Sequence, residues 1–273
     1  MKSIDASFNE YREAYHHQLA QINHLIAQLY YFDEINSTNT FLLSQSSSLQ
    51  GLKNRCNQFI ICIAHEQTHG RGRADHAWIA SKEDMIFSLG FMLPTADIGC
   101  LSLMIAILIA EAVIALGGPK LDIKWPNDLY YQNKKCGGIL VESLDSAGMA
   151  YIVIGVGLNG CEQINTDLIQ SPASSLFLWR RSAKLSKIEI TSFLINHIIL
   201  GLVNDKKSRV EVLIKKWPTY DFCYGKKVKI IQPQHVIMGI AQGIDENGYL
   251  QLLDMNGDGR QHAINSGSLE FLN

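Results

Sequence analysis

The chain has no C-x-x-C pair, no G-x-x-x-x-G-K-[ST] loop and no apolar stretch of membrane-spanning length. Each absence removes a class of function. Six cysteines (Cys56, Cys62, Cys100, Cys136, Cys161 and Cys223) are scattered, so neither a disulfide framework nor a thiolate zinc site is expected, and a reducing cytoplasm suits them best. Without a phosphate loop of that type, any nucleotide must be held in another way. The most apolar run, Leu101 to Leu116, carries Ser102 and Glu111 and falls short of the ~20 residues of a bilayer span; it reads as a buried helix. The N-terminus shows Asp5, Glu10, Arg12 and Glu13 where a secretory signal would be apolar. Neither sign of charge is in excess: 24 Lys+Arg face 26 Asp+Glu, a net charge of -2. Neither a nucleic-acid nor a membrane partner is expected.

What is present is an ordinary globular composition, 47% hydrophobic and 18% charged over 273 residues, enough for one large domain and a small one. Leu19, Ile22, Leu25, Ile26 and Leu29 recur at helical spacing, which predicts one amphipathic helix over 8–29. Ser37-Thr38-Asn39 before Phe41-Leu42-Leu43 is the pattern of a capped helix start. Apolar or β-branched runs at Gln58–Ala64, Met85–Met92, Leu121–Trp125, Gly138–Val141 and Tyr151–Val156 predict one sheet packed on the 101–116 helix. Helical patterns follow at Ile188–Leu202 and Val210–Trp217, the second closing on Pro218. Short strand candidates then lie at Lys227–Ile231, Val236–Ala241, Leu250–Leu253 and Gln261–Ile264, with turn clusters at 245–248 and 256–259. The expected division is a helical lead-in over 1–30, an α+β body over 31–220 with a mixed central sheet, and a small β-barrel over 221–273.

Two motifs imitate known sites. His65-Glu66-Gln67-Thr68-His69 matches H-E-x-x-H, but a zinc protease carries it on a helix, whereas here a strand-like run enters it and Gly70 and Gly72 follow. Gly155-Val156-Gly157-Leu158-Asn159-Gly160 matches a dinucleotide fingerprint. It lacks a following helical period and the acidic residue a ribose would need, so a tight strand-to-loop turn is the better reading. No protein metal site is expected.

The chemistry concentrates elsewhere. Gln67-Thr68-His69-Gly70-Arg71-Gly72-Arg73, with Trp78 beyond it, alternates glycines that admit a ligand with guanidinium groups that grip carboxylate or phosphate. In a chain without basic excess, the target of this clamp is a small anion and not RNA. Lys124-Trp125-Pro126-Asn127-Asp128 leaves a strand at a proline, placing Asn127 and Asp128 at its exit. Lys135-Cys136-Gly137-Gly138 follows. Alone, Lys135 reads as a solvated hairpin charge, but the paired glycines permit close approach of a ligand beside it.

Taken in order, Ser37-Thr38-Asn39, Gln67-x-x-Gly70-Arg71-Gly72-Arg73 with Trp78, Lys124 to Asp128, Lys135 with Gly138, and Gly155 to Asn159 resemble the motifs of biotin protein ligases. The resemblance spans roughly 33 to 160 and implies a class II synthetase-like catalytic domain with a C-terminal SH3-like barrel. It implies that biotin and ATP give biotinyl-5'-AMP, with Mg²⁺ on the phosphates, and that a lysine of a biotin carboxyl carrier domain then takes the biotinyl group. By the same resemblance Ser37, Thr38, Asn39, Gln67, Gly70, Arg71, Lys135 and Gly138 face biotin. Arg71, Gly72, Arg73, Trp78, Asn127, Lys135 and Asn159 face the nucleotide. Lys135, Arg71 and Arg73 stabilise the reacting charges, and Asp128 orients the incoming lysine. A monomer or weak homodimer is expected.

The chain departs from the family pattern after Arg73, where Ala74-Asp75-His76-Ala77 replaces further Arg and Gly. Looser retention of biotinyl-AMP is the expectation. The segment before Ser37 reads as one helix, whereas a winged helix-turn-helix needs at least two and a turn, so a ligase without repressor activity is expected. The rival readings are a lipoate or octanoate ligase or transferase, whose substrates have an apolar chain in place of the ureido ring and leave Gln67 and Ser37 little to bind, and a non-catalytic biotin or adenylate sensor, which has no need of Lys135.

Overall fold

The computed structural model describes residues 6–45, 58–95, 98–146, 148–161, 173–204, 209–255 and 259–272. The chain begins with helix α1 (Ala6–Gln18) and a 3-10 segment (Ala20–Leu25), then enters strand β1 (Ile26–Ile35). The single helix expected over 8–29 therefore ends at Gln18. Leu25 and Leu29 fit both periods, and the aromatic run Tyr30-Tyr31-Phe32 favours the strand once a parallel partner is in place. Helix α2 (Thr38–Ser44) starts at the expected cap, with the Ser37 side chain accepting from the Thr40 N–H.

Strand β2 (Phe59–Gln67) leads through a bend into a two-residue ribbon, β3 (Gly70–Arg71) and β4 (Ala77–Trp78), and on to β5 (Met85–Pro94). After helix α3 (Leu101–Ala115) come β6 (Asp122–Lys124), β7 (Asp128–Tyr131), β8 (Lys134–Ser146) and β9 (Met149–Leu158). These form one seven-stranded sheet in the order β1-β2-β5-β9-β8-β7-β6, parallel only between β1 and β2. The chain therefore folds as a mixed α+β structure. Gln132 and Asn133, at φ 53° and 61°, make the tight β7–β8 turn that delivers Lys135 to the head of β8.

The middle of helix α3 is apolar on every side because it is enclosed there: Leu103 through Ala110 are buried between the sheet and helices α5 (Lys187–Asn204) and α6 (Arg209–Tyr220). Short helix α4 (Phe177–Ser182) precedes α5. The second helical pattern runs through Pro218 to Tyr220, since a proline in a final turn removes one hydrogen bond without ending the helix there. The other face of the sheet carries α2 over Ile60, Cys62, Tyr151 and Val153.

Strands β10 (Lys227–Ile231), β11 (Val236–Ile244), β12 (Leu250–Asp254), β13 (Gln261–Ile264) and β14 (Ser268–Phe271) build a second, antiparallel sheet in the order β13-β12-β11-β10-β14. The turn at 245–248 falls where expected; residues 256–258 of the next cluster lie outside the described residues. The two sheets are tied at β6. The Phe222 N–H bonds Ile123 O, and the indole of buried Trp125 donates to Gly248 O at 3.1 Å. Among the described residues no helix is long and apolar enough to cross a membrane.

Candidate active site

A cavity of about 780 Å³ opens where the ends of β2, β6, β7, β8 and β9 meet the 70–78 ribbon and the β14 edge of the second sheet. Ser37, Thr38, Asn39, Gln67, Arg71, Gly72, Arg73, Trp78, Asn127, Asp128, Lys135, Gly138 and Asn159 all line it. Gly70 stands behind the wall, where a Cβ would collide with Trp78 O.

One cluster of polar groups is neutral and largely buried. Gln67 Oε1 accepts from the Thr38 N–H at 2.8 Å and from the Thr38 hydroxyl at 3.1 Å, which leaves its NH2 without a partner among the described residues. The buried Ser88 hydroxyl lies 2.6 Å from both Thr38 Oγ1 and Asn39 Oδ1 and, having one proton, donates to one of them. Asn39 Nδ2 donates to Glu142 Oε2 at 2.9 Å, and Glu142 Oε1 meets Arg71 Nη2 at 2.9 Å. Arg71 thus stands over α2, within reach of Thr40 Oγ1 at 3.4 Å.

The second cluster is charged. Lys135 Nζ sits 2.7 Å from Asp128 Oδ1 and 5.8 Å from the Trp78 ring. Arg73 donates to Asn127 Oδ1 at 3.3 Å, and Asn127 is itself held by its Nδ2 donating to Ile139 O at 2.7 Å. Burial pulls the Arg73 guanidinium below its ordinary value while Asp128 opposes that pull. Cys136, next to Lys135, is buried and its thiol is pushed up to about 12 by desolvation, so it is inert filling.

The two decoys resolve geometrically. His65, Glu66 and Gln67 continue β2, so the two imidazoles do not share a helix face. Gly155 and Gly157 are interior residues of β9 and not parts of a turn. A Cβ at Gly157 would stand 2.5 Å from Trp78 Cε2, and one at Gly155 would press into the Asn39 carboxamide. These glycines make room for a stacked indole and for Asn39.

The clamp itself is a closed ribbon. The Gly72 N–H bonds His76 O at 2.7 Å, the His76 N–H returns to Arg73 O at 3.1 Å, and Ala74 takes a left-handed φ of 49°. On the far side, buried Asp84 accepts from the N–H groups of Ser81 and Gly160, both at 2.7 Å, fixing the exit of β9. Asn159 there donates to Ser174 O at 2.9 Å.

Residues 31–159 match the Biotin/lipoate A/B protein ligase family, and residues 224–272 match the Biotin protein ligase C terminal domain. The bifunctional ligase/repressor BirA of Escherichia coli is 33% identical over 229 residues, covering 82% of this chain and 68% of that protein. The chain belongs to the biotin protein ligases. The biotin--[acetyl-CoA-carboxylase] ligase of Mycobacterium tuberculosis is 28% identical over 250 residues, spanning 88% of this chain and 87% of its own length. Among solved structures, a biotin protein ligase from Aquifex aeolicus in complex with biotin and ATP matches with a TM-score of 0.69 at 25% identity, over 90% of this chain and 100% of that one.

Three residues of this biotin protein ligase site, Ser88, Glu142 and Phe271, carry no signal of their own in the sequence, and Lys124 was singled out only as part of its motif. Ser88 and Glu142 each stand in an apolar strand run, and only the β5–β9–β8 pairing brings them to Asn39. Lys124 lines the cavity at the end of β6, and Phe271 reaches it from β14. Strand alternation marks Glu142 as facing the side opposite Val141, which is the one hint that could have found it.

Proposed function

We propose that this cavity activates biotin with ATP and passes the biotinyl group to a lysine of a biotin carboxyl carrier domain. The observation that carries the reading is the convergence in one cavity of a neutral hydrogen-bonding cluster around Gln67 and a cationic cluster around Lys135. A bicyclic urea needs the first. Thr38 fixes the Gln67 carbonyl, so its NH2 is presented to an acceptor such as the ureido oxygen, with Ser37, Thr38 and Asn39 bounding the ring. An apolar lipoyl or octanoyl group would leave these dipoles unpaired at a cost of roughly 1–3 kcal/mol each.

The cationic cluster suits the chemistry that follows. A carboxylate oxygen of biotin attacks the α-phosphorus of ATP, a C–O–P bond forms, and the bond to pyrophosphate breaks. Two anions must be brought together, and Lys135, Arg71 and Arg73 supply the opposing charge in a partly water-excluded site. Arg71 turns between Glu142 and the substrate carboxylate, with Gly138 leaving clearance. Trp78, seated on Gly157, offers a surface for adenine, bordered by Gly72, Asn127 and Asn159. The amine of the carrier lysine then attacks the acyl carbon, and AMP leaves with the bonding electrons. Asp128, released as Lys135 turns toward the phosphate, orients that amine.

Asp128 is surrounded by cations and is engaged by Lys135, so the donor set does not make a resident metal site. Mg²⁺ enters with the phosphates of ATP, as is usual for this ion. Residues 31–220 act as the catalytic part and 221–273 as its cover, in a monomer or weak homodimer. Among the described residues Cys62, Cys100, Cys136, Cys161 and Cys223 are free thiols, which supports a reducing cytoplasm.

The test is to incubate the protein with radiolabelled biotin, ATP-Mg²⁺ and a carrier domain, beside Lys135→Ala and Arg73→Ala. Label should reach the carrier with the wild type and be strongly reduced with both variants. Labelling untouched by both changes would remove this assignment of the site.

A further inference from the structure

Lys124 is the cavity cation whose charge is least answered. Its ammonium has neither a hydrogen bond nor an ion pair among the described residues. It rests instead against two rings, 5.8 Å from the centroid of Tyr130 and 5.5 Å from that of Phe271. The two nearby carboxylates are engaged elsewhere. Asp128, directly across the β6–β7 ladder from Lys124, is paired with Lys135 at 2.7 Å, and Glu270 is paired with Lys229 at 2.6 Å. Burial depresses the Lys124 ammonium from its ordinary value, against the opposing pull of Asp128. A half-buried ammonium of this kind gains most from an anion brought by a ligand.

The position selects the anion. Lys124 lies on the side of the charged cluster that meets the second sheet, where Phe271 and Glu270 also line the cavity. The Gln67 cluster and Arg71 contact α2 and β8 instead. Lys226, 5.1 Å from the same Phe271 ring, does not line the cavity, so Lys124 is the ammonium at this corner. On the reading given above, biotin's carboxylate and the α-phosphate meet near Lys135. The part of ATP left for the corner at Lys124 is then the β- and γ-phosphates, which leave together as pyrophosphate.

We propose that Lys124, held between Tyr130 and Phe271, binds the departing pyrophosphate, so that the second sheet helps to complete the site for the first half-reaction only. Lys124 is then a catalytic residue for adenylate formation and a bystander in transfer, and Phe271 is its positioning residue. The proposal rests on the ligase reading, and its test separates the two. If wild-type protein forms no biotinyl-AMP, the ligase reading fails.

With an active wild type, Lys124→Met and Lys124→Arg are compared in two assays. In biotin-dependent exchange of radiolabelled pyrophosphate into ATP, Lys124→Met should fall on the order of 10- to 100-fold, with weaker product inhibition by pyrophosphate, and Lys124→Arg should keep most of the rate. In single-turnover transfer from preformed biotinyl-AMP to the carrier domain, both variants should match the wild type within about twofold. Phe271→Leu should raise the KM for ATP a few-fold and leave transfer alone. Equal losses in both half-reactions, accompanied by a lowered melting temperature, would make Lys124 a structural peg between the sheets and overturn the proposal. An unchanged exchange rate in Lys124→Met would overturn it as well.

Discussion

Around Gln67, Thr38, Asn39 and Ser88 meet through hydrogen bonds between neutral groups, and Thr38, Asn39 and Ser88 are almost wholly buried. Around Lys135 the contacts are ionic, and the side chains of Lys135 and Asp128 keep 31% and 21% of their exposure. The difference separates selectivity from rate. A buried neutral network is costly to leave unpaired, so it rejects the wrong ligand, whereas mobile cations in a half-open pocket follow charge as it develops. Trp78 and Glu142 join the two clusters, one through its contact with Gly157 and Gly138, the other by holding Asn39 and Arg71 together.

The comparison breaks most readily at Lys135. Lys135→Ala should lower biotin-dependent pyrophosphate exchange by about 10²–10³-fold, the usual effect of deleting one preorganised charge-stabilising donor, while the KM for biotin moves far less. Gln67→Leu should do the reverse: binding by calorimetry should weaken by roughly 10- to 100-fold for biotin, through about 1–3 kcal/mol from the lost NH2 donor and the ureido oxygen left unpaired, with ATP affinity preserved. Gly157→Ala places a methyl against the Trp78 indole and should raise the KM for ATP by about tenfold, at an overpacking cost of about 1–3 kcal/mol, without touching biotin binding. Glu142→Gln should shift biotin affinity less than about fivefold and lessen its salt dependence, because the Arg71 pair is partly exposed and worth about 0–1 kcal/mol. Ala74→Gly relieves a left-handed residue in the clamp and should raise thermal stability by up to about 1 kcal/mol with unchanged turnover.

Much of this architecture was legible in the sequence because it is local. The strands at 59–67, 85–94 and 149–158, the enclosed helix α3 and the Ser37 cap each follow from periodicity or capping chemistry. The motif residues could be singled out because glycines and a proline mark where the backbone opens. What escaped depends on partners far along the chain. β1 reads as helix until β2 pairs with it, and β14 is four residues whose strand identity comes from β10. Gly155 and Gly157 imitate a nucleotide fingerprint because clearance for a side chain and clearance for a phosphate have the same residue signature. Ser88, Glu142 and Phe271 gain meaning only when non-adjacent segments meet at the cavity.

The most direct test of the central claim, that the neutral cluster admits biotin and the cationic cluster activates it, is pyrophosphate exchange into ATP with the wild-type protein, run with biotin and again with lipoate or octanoate. Exchange that depends on biotin and stays at background with the two fatty acids is the predicted result. Exchange supported equally by lipoate or octanoate, or none with biotin, would contradict it.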